Sequence, residues 1–202
     1  MQKITYKNKD YEPSKVICVG RNYVEHIREL ENEMPDELVL FIKPNSSICD
    51  QIYLPDQKCR YEGEISFLMK DGQVEGVGFG LDMTLVDVQK RLKKKGLPWE
   101  KSKAFNKSAV LSQFVTYDGD LGNLRIELWI NGEMRQTGGV ELMIHKPQDI
   151  LVEIDRHFTV ENYDVIMTGT PQGVGYFDKG DQVVGKLFEN DKLLVEQNWI
   201  VK

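Results

Sequence analysis

Two carboxylates stand one residue apart in Tyr61-Glu62-Gly63-Glu64-Ile65. In an extended strand, residues i and i+2 point to the same face, and paired carboxylates repel unless a cation lies between them. A ligand set made only of oxygen suits a hard ion such as Mg²⁺, Mn²⁺ or Ca²⁺ and argues against zinc. A bare Glu-x-Glu is more often a solvated strand edge. A third carboxylate changes the reading. Asp82, in Gly80-Leu81-Asp82-Met83-Thr84, closes an apolar, glycine-rich run just before a helix start. Flanked by Leu81 and Met83, it is expected to be half buried, and a buried charge needs a partner. Thr84 is expected to cap the helix, which leaves Asp82 for a cation. If the two segments are neighbours, Glu62, Glu64 and Asp82 form one metal site.

His26 and Glu29 are i and i+3 on a helix and so share a face. A carboxylate beside an imidazole fixes its tautomer and raises its basicity, as a general base requires; a surface ion pair is the alternative. His145 and His157 have no such companion. Lys103, in Lys101-Ser102-Lys103-Ala104-Phe105, lies between small and aromatic residues and can point inward, although most lysines are solvated. The run Thr168-Gly169-Thr170-Pro171-Gln172-Gly173-Val174-Gly175 lacks the Gly-Lys-Ser/Thr ending of a nucleotide loop. Its backbone can still present N–H groups to a carboxylate, or it is a tight structural turn.

These residues must be positioned mainly by strands. Val16–Val19, Val39–Ile42, Ile65–Met69, Gly76–Met83 and Val165–Met167 read as strands. Arg125–Ile130 alternates and meets Asn131-Gly132, a hairpin signal. Val183–Phe188 and Leu193–Val201 form a terminal hairpin. Helices are fewer. One runs Asn22–Leu30 with a capping box from Asn22 and Glu25. A second follows Thr84 with Leu85, Val88 and Leu92 in register, ending at Gly96. Pro147 opens a third with Ile150, Leu151, Ile154 and Phe158 on one face. The expected class is β-rich α+β.

The 202 residues suit one domain able to bury its own core. A net charge of −6 argues against a nucleic-acid partner. A small anionic substrate stays possible, because a metal and a few cations invert the local field. No stretch reaches the length of a membrane span, and the start carries no secretory pattern. Cys18, Cys49 and Cys59, an odd set without Cys-x-x-Cys spacing, are expected to be reduced thiols. The cytoplasm is the compartment this implies.

In their joint order, several segments make the chain resemble the fumarylacetoacetate hydrolase family along nearly its whole length. They are Val19-Gly20-Arg21-Asn22-Tyr23, Phe41-Ile42-Lys43-Pro44, Tyr61-Glu62-Gly63-Glu64, Leu81-Asp82-Met83-Thr84 through Asp87-Val88-Gln89, Lys95-Gly96-Leu97-Pro98-Trp99, Asn131-Gly132-Glu133-Met134-Arg135-Gln136 and Thr168-Gly169-Thr170-Pro171. The branch it is most similar to is the short acylpyruvate hydrolases, which also decarboxylate oxaloacetate.

The resemblance implies a mixed β-roll with few short helices and a homodimer. It implies one catalytic domain over 1–202, with a lid helix in segment 1–50 and a metal-binding core in 51–202. It implies Mg²⁺ or Mn²⁺ on Glu62, Glu64 and Asp82, and catalytic His26, Glu29 and Lys103. It also implies substrate contacts from Arg21, Lys43, Gln89, Thr170 and Gly173 to a small 2-oxo or 2,4-dioxo acid. Lys103 and Gln89 are expected to position water or stabilise an oxyanion. The expected reaction is C–C hydrolysis of an acylpyruvate through a metal-stabilised enolate. Oxaloacetate decarboxylation and a 2-hydroxyhepta-2,4-diene-1,7-dioate-type isomerisation or tautomerisation are alternatives, as is a metal-binding relative without catalysis. Three departures from the family pattern stand out. Val86 replaces a frequent arginine, Lys70–Val77 is short, and Glu161-Asn162-Tyr163-Asp164 replaces a Pro-Gly-Asp turn.

Overall fold

Apolar runs bounded by glycine and proline become the central strands of the protein, a computed structural model describing residues 1–202. Val16–Val19 lie inside strand Lys15–Gly20 and are all buried. That strand pairs antiparallel with Val39–Pro44 and parallel with Val165–Met167. Val165–Met167 pairs antiparallel with Gly63–Lys70, which pairs antiparallel with Gln73–Asp82. Ala109–Leu111 and then Ile48–Cys49 complete the path. Strands Lys15–Gly20, Val39–Pro44 and Ile48–Cys49 therefore belong to the same sheet that carries Glu64 and Asp82, while Ile4–Tyr6 and Lys9–Tyr11 form a separate two-stranded sheet.

A second, antiparallel sheet runs Glu133–Gly139, Leu124–Ile130, Gln182–Glu189, Lys192–Ile200. Leu124–Ile130 alternates buried and half-buried residues, as a sheet with one packed face must. The facing side chains of the two sheets form the main core, in which Phe79 meets Trp199 with ring centroids 6.1 Å apart, and the other face of the large sheet packs a smaller core around Val16, Leu68 and Met167. Burying a side chain such as Phe67, Phe79 or Ile65 contributes about 1.5–3 kcal/mol. A small third sheet, Gly175–Tyr176, Cys59–Tyr61 and Thr84–Leu85, lies beside the carboxylates.

Four α-helices complete the β-rich roll: α1 (Val24–Glu29), α2 (Val86–Lys94), α3 (Glu100–Lys103) and α4 (Pro147–His157). No helix is long and apolar enough to cross a membrane. The three cysteines are unpaired thiols. The expected hairpins form, with Asn131 at φ 51° and Gly132 at φ 81°. The short Lys70–Gln73 connection is also a tight hairpin, with Asp71 at φ 51° and Gly72 at φ 75°. That Asp-Gly pair is a readable turn signal.

Both expected helix caps are corrected. Tyr23 is the N-cap of α1, and Asn22 is diverted to hold two loops. Leu85 is the N-cap of α2, while Thr84 lies in a strand and gives its hydroxyl to Lys103. In each case a tertiary polar partner outcompetes the local cap. His157, read as isolated, pairs with Glu153 one turn earlier at 3.0 Å.

Candidate active site

Strand pairing brings the three carboxylates together. Glu64 stands opposite Gly80, and Glu62 accepts the backbone N–H of Asp82 at 2.8 Å. Gly80 and Asp82 share a face, so Glu64 and Asp82 are diagonal neighbours. Glu62 lies in the one-residue break between strands Cys59–Tyr61 and Gly63–Lys70. Ligand oxygens from all three lie within 4.8 Å of one another. Glu62 is 5% exposed, and Glu64 and Asp82 are each 1% exposed.

Buried anions demand buried cations. The Lys103 ammonium donates to Glu62 Oε2 at 2.7 Å, Asp82 Oδ2 at 2.5 Å and Thr84 Oγ1 at 2.7 Å. Arg60 places Nε at 3.0 Å and Nη2 at 2.6 Å from Glu62 Oε1. Lys43 Nζ lies 2.8 Å from Asp82 Oδ1 and donates to Ser108 and the Lys103 carbonyl. Burial pushes the Glu62 carboxyl up, but Lys103, Arg60 and His26 outweigh it and hold it far below the usual range. Burial lowers the Lys103 ammonium, yet Asp82 and Glu62 raise it further.

Glu64 has a different balance. Its one protein donor is the Gly169 N–H, at 2.8 Å from Oε2. Burial, then the charges of Asp82 and Glu62, push its carboxyl well above the usual range. This carboxylate has no cation in contact, and the converging donors are all hard oxygens. The residues present therefore fit a divalent ion of the Mg²⁺ or Mn²⁺ kind.

The dyad sits at the rim. His26, 6% exposed on α1, places Nδ1 3.2 Å from Glu29 Oε2. Glu29 Oε1 accepts the Gly173 N–H at 3.0 Å. Burial raises the Glu29 carboxyl, but the bonds to His26 and Gly173 bring it below its ordinary value. With Glu29 ionised, Nδ1 acts as donor and Nε2 is left as the basic atom. Gly173 has φ +97°, and a Cβ there would sit 2.0 Å from the Arg135 carbonyl, so only glycine fits. Asn22 donates to the carbonyls of His145 and Thr168 and accepts from the His145 N–H, fixing the start of α1. After α1, Lys93 of α2 donates to Asn32 at 2.6 Å.

The structure thus gathers Glu62, Glu64, Asp82, Lys103, His26, Glu29 and Gly173. It places others differently from expectation. Lys43 has no exposed surface, and its ammonium faces Asp82 Oδ1 at 2.8 Å. Thr170 spends its hydroxyl on the Gly63 carbonyl and on Gln136. Lys103 engages all its donors on Glu62, Asp82 and Thr84, which makes it an organiser of the carboxylates. Arg21, at φ 56°, donates to the Glu33 carbonyl at 3.4 Å and leaves Nε buried without a partner. Gln89 is half-buried on α2.

Sequence reading missed Arg60, whose i,i+2 spacing to Glu62 is its one local signal. It also missed Gln136, which grips Gly63, Thr170 and Pro171. A cleft of about 530 Å³ lined by Tyr61, Arg135, Gly173 and Tyr176 meets the dyad at Gly173. A larger cavity, about 970 Å³, lies between α4 and the 72–74 turn and contains none of these groups.

Residues 15–193 match the fumarylacetoacetate (FAA) hydrolase C-terminal family. An oxaloacetate tautomerase of Escherichia coli K12 is 39% identical over 193 residues, covering 86% of this chain and 88% of its own. A mitochondrial oxaloacetate tautomerase of Homo sapiens is 35% identical, covering 83% and 84%. The crystal structure of fumarylpyruvate hydrolase from Pseudomonas aeruginosa, in complex with Mn²⁺ and pyruvate, superposes with a TM-score of 0.89 at 28% identity, covering 99% and 95%.

Proposed function

This chain belongs to the fumarylacetoacetate hydrolase family, and we propose that it interconverts the keto and enol forms of a small 2-oxo dicarboxylic acid of the oxaloacetate kind. The carrying observation is the pairing of a buried three-carboxylate cation site with a basic His26–Glu29 dyad at its rim. The names of the E. coli and human relatives support this choice among the family's reactions.

Glu62, Glu64 and Asp82 would hold the divalent ion, with Lys103, Arg60 and Lys43 balancing and orienting them. When bound, that ion draws electron density from the 2-oxo group and so acidifies the C3–H bonds of the substrate. His26 Nε2 takes the C3 proton, and Glu29, held by the Gly173 N–H, stabilises the imidazolium that forms. Return of that proton to the 2-oxo oxygen completes the exchange. One C–H bond breaks, one O–H bond forms, and no water is consumed. The burial of His26 on α1, 6% exposed, keeps bulk water from competing for the proton.

The test is the rate of oxaloacetate enol–keto interconversion with Mg²⁺ or Mn²⁺, measured beside acetylpyruvate cleavage and carbon dioxide release. Acceleration of the interconversion above the other two is expected. Acetylpyruvate cleavage without any acceleration of tautomerisation would overturn the reading. The second reading is acylpyruvate hydrolysis. The same dyad favours it, because His26 can activate a water as readily as it takes a carbon-bound proton.

A further inference from the structure

In two of the floor carboxylates one oxygen is taken by its own hydrogen-bond donor, and in Asp82 one oxygen faces an ammonium without a hydrogen bond. Arg60 takes Glu62 Oε1, the Gly169 N–H takes Glu64 Oε2 at 2.8 Å, and Lys43 lies 2.8 Å from Asp82 Oδ1. The second oxygens of Glu62 and Asp82 converge, meeting at the Lys103 ammonium at 2.7 and 2.5 Å. One oxygen of each of the three carboxylates lies within 4.8 Å of the others, and for Glu62 the oxygen that Arg60 leaves is Oε2, shared with Lys103. The Arg60 grip is the most restrictive, because Nε and Nη2 both close on a single oxygen, at 3.0 and 2.6 Å. Two donors forked onto one oxygen, with Lys103 on the other, fix the rotation of the carboxylate as well as its distance. The fork is itself held. Arg60 is 8% exposed and lies on the middle strand of the small sheet, opposite Thr84 on one side and Tyr176 on the other.

We infer that Arg60 is a positioning residue which, acting through Glu62, confines that ligand to one oxygen and so selects a small six-coordinate cation over calcium. The inference rests on the metal role given to the three carboxylates above. Calcium takes roughly 6–8 oxygens at about 2.3–2.6 Å and commonly uses both oxygens of a carboxylate. Magnesium requires an octahedron at about 2.0–2.1 Å, half of which three single oxygens supply. Freed from Arg60, Glu62 can turn and offer Oε1 as well, and calcium gains more from that than magnesium or manganese does.

The experiment is calorimetric titration of the EDTA-stripped full chain with MnCl₂ and, separately, CaCl₂, for the wild type, Arg60→Gln and Arg60→Lys. Removing a positive charge tightens both divalent ions alike, so their affinity ratio isolates positioning from charge. The Mn²⁺/Ca²⁺ ratio is expected to fall about tenfold in Arg60→Gln, the lower end of what loss of an outer partner costs a metal site. Arg60→Lys, which keeps the charge without the fork, is expected to fall between. A wild-type ratio in either variant, or an equal tightening of both ions, overturns the inference. If Arg60→Gln does not fold by circular dichroism, Arg60→Lys decides alone. If the wild type binds neither ion, the metal reading itself fails and the inference falls with it, which separates that failure from an unchanged ratio.

Discussion

Glu62, Glu64 and Asp82 are at most 5% exposed and are met by three cationic side chains and a backbone N–H. Above them, α1 presents Glu25, Arg28 and Glu29 to solvent and is six residues long. Side-chain bonds fix it to its surroundings at Asn22, at Glu29–Gly173 and, past its end, at Asn32–Lys93. Most of the floor is ordered before any ligand arrives, since Glu62 and Asp82 are paired with cations within the fold and Glu64 is held by a backbone N–H. We propose that α1 is a lid: apart from the buried His26 and Ile27 it is held by a few contacts that can open one by one, the condition for local rather than global unfolding. A site that needs fixed charge and also substrate entry is served by placing these properties in different elements.

The sharpest separation comes from removing a floor anion. Asp82→Ala strands Lys43 and Lys103 in a space where neither is more than 4% exposed. Breaking a buried ion pair from one side costs on the order of 3–5 kcal/mol, and two cations lose a partner here. Urea unfolding is expected to show a loss of that size, together with loss of Mn²⁺ binding. A loss no larger than that caused by lid substitutions would erase the distinction between the two regions.

His26→Ala should do the reverse. Turnover is expected to drop by about 10²–10⁴, the usual worth of a positioned base, while stability changes by only about 1 kcal/mol. Mn²⁺ affinity measured by calorimetry should stay close to wild type. Retained turnover would remove His26 from the proton transfer.

What could be read from the sequence divides along the same line. The three carboxylates that the structure brings together were legible because a Glu-x-Glu pair and an acid closing an apolar run are local patterns, and the family's segment order points to the same three. His26 and Glu29 were legible from helical spacing. The pairing of the floor with the cations beneath it is not a local pattern, although Lys103 could be read as pointing inward and the resemblance named Lys43. Lys43 comes from a strand separated from Asp82 by three intervening strands in the sheet path, and no local pattern marks it as buried. Asn22 and Thr84 misled for the same reason, as both have cap chemistry that distant partners use instead. The short α3, which carries Lys103, has no periodicity over four residues to read.

The lid has its own pH signature. The folded Glu29 carboxyl lies below its ordinary value of 4.5, because its gains from His26 and Gly173 exceed the cost of burial. A depressed carboxyl contributes stability above the unfolded value and loses it as pH falls through the folded one. Amide exchange across α1 should therefore keep its protection down to about the ordinary value and fall below it. Glu29→Gln should begin several-fold less protected and show no such step. A step above the ordinary value would mean that another group holds the lid.

The smallest effect is expected at the last tether. Lys93→Ala removes the 2.6 Å bond to Asn32, worth about 0.5–1.5 kcal/mol as a net hydrogen bond. A second consequence opposes it. Burial lowers the Lys93 ammonium, and so do the nearby charges of Arg21, Arg60 and Lys103, so its removal also relieves repulsion on that side of the site. The two terms partly cancel, leaving a rise in amide exchange of about two- to threefold over the segment after α1. KM should rise by a similar factor with kcat unchanged, because the tether acts on closure and not on the proton transfer. A fall in kcat instead would place Lys93 with the reacting groups and tie the lid to the floor more closely than the contacts between them suggest.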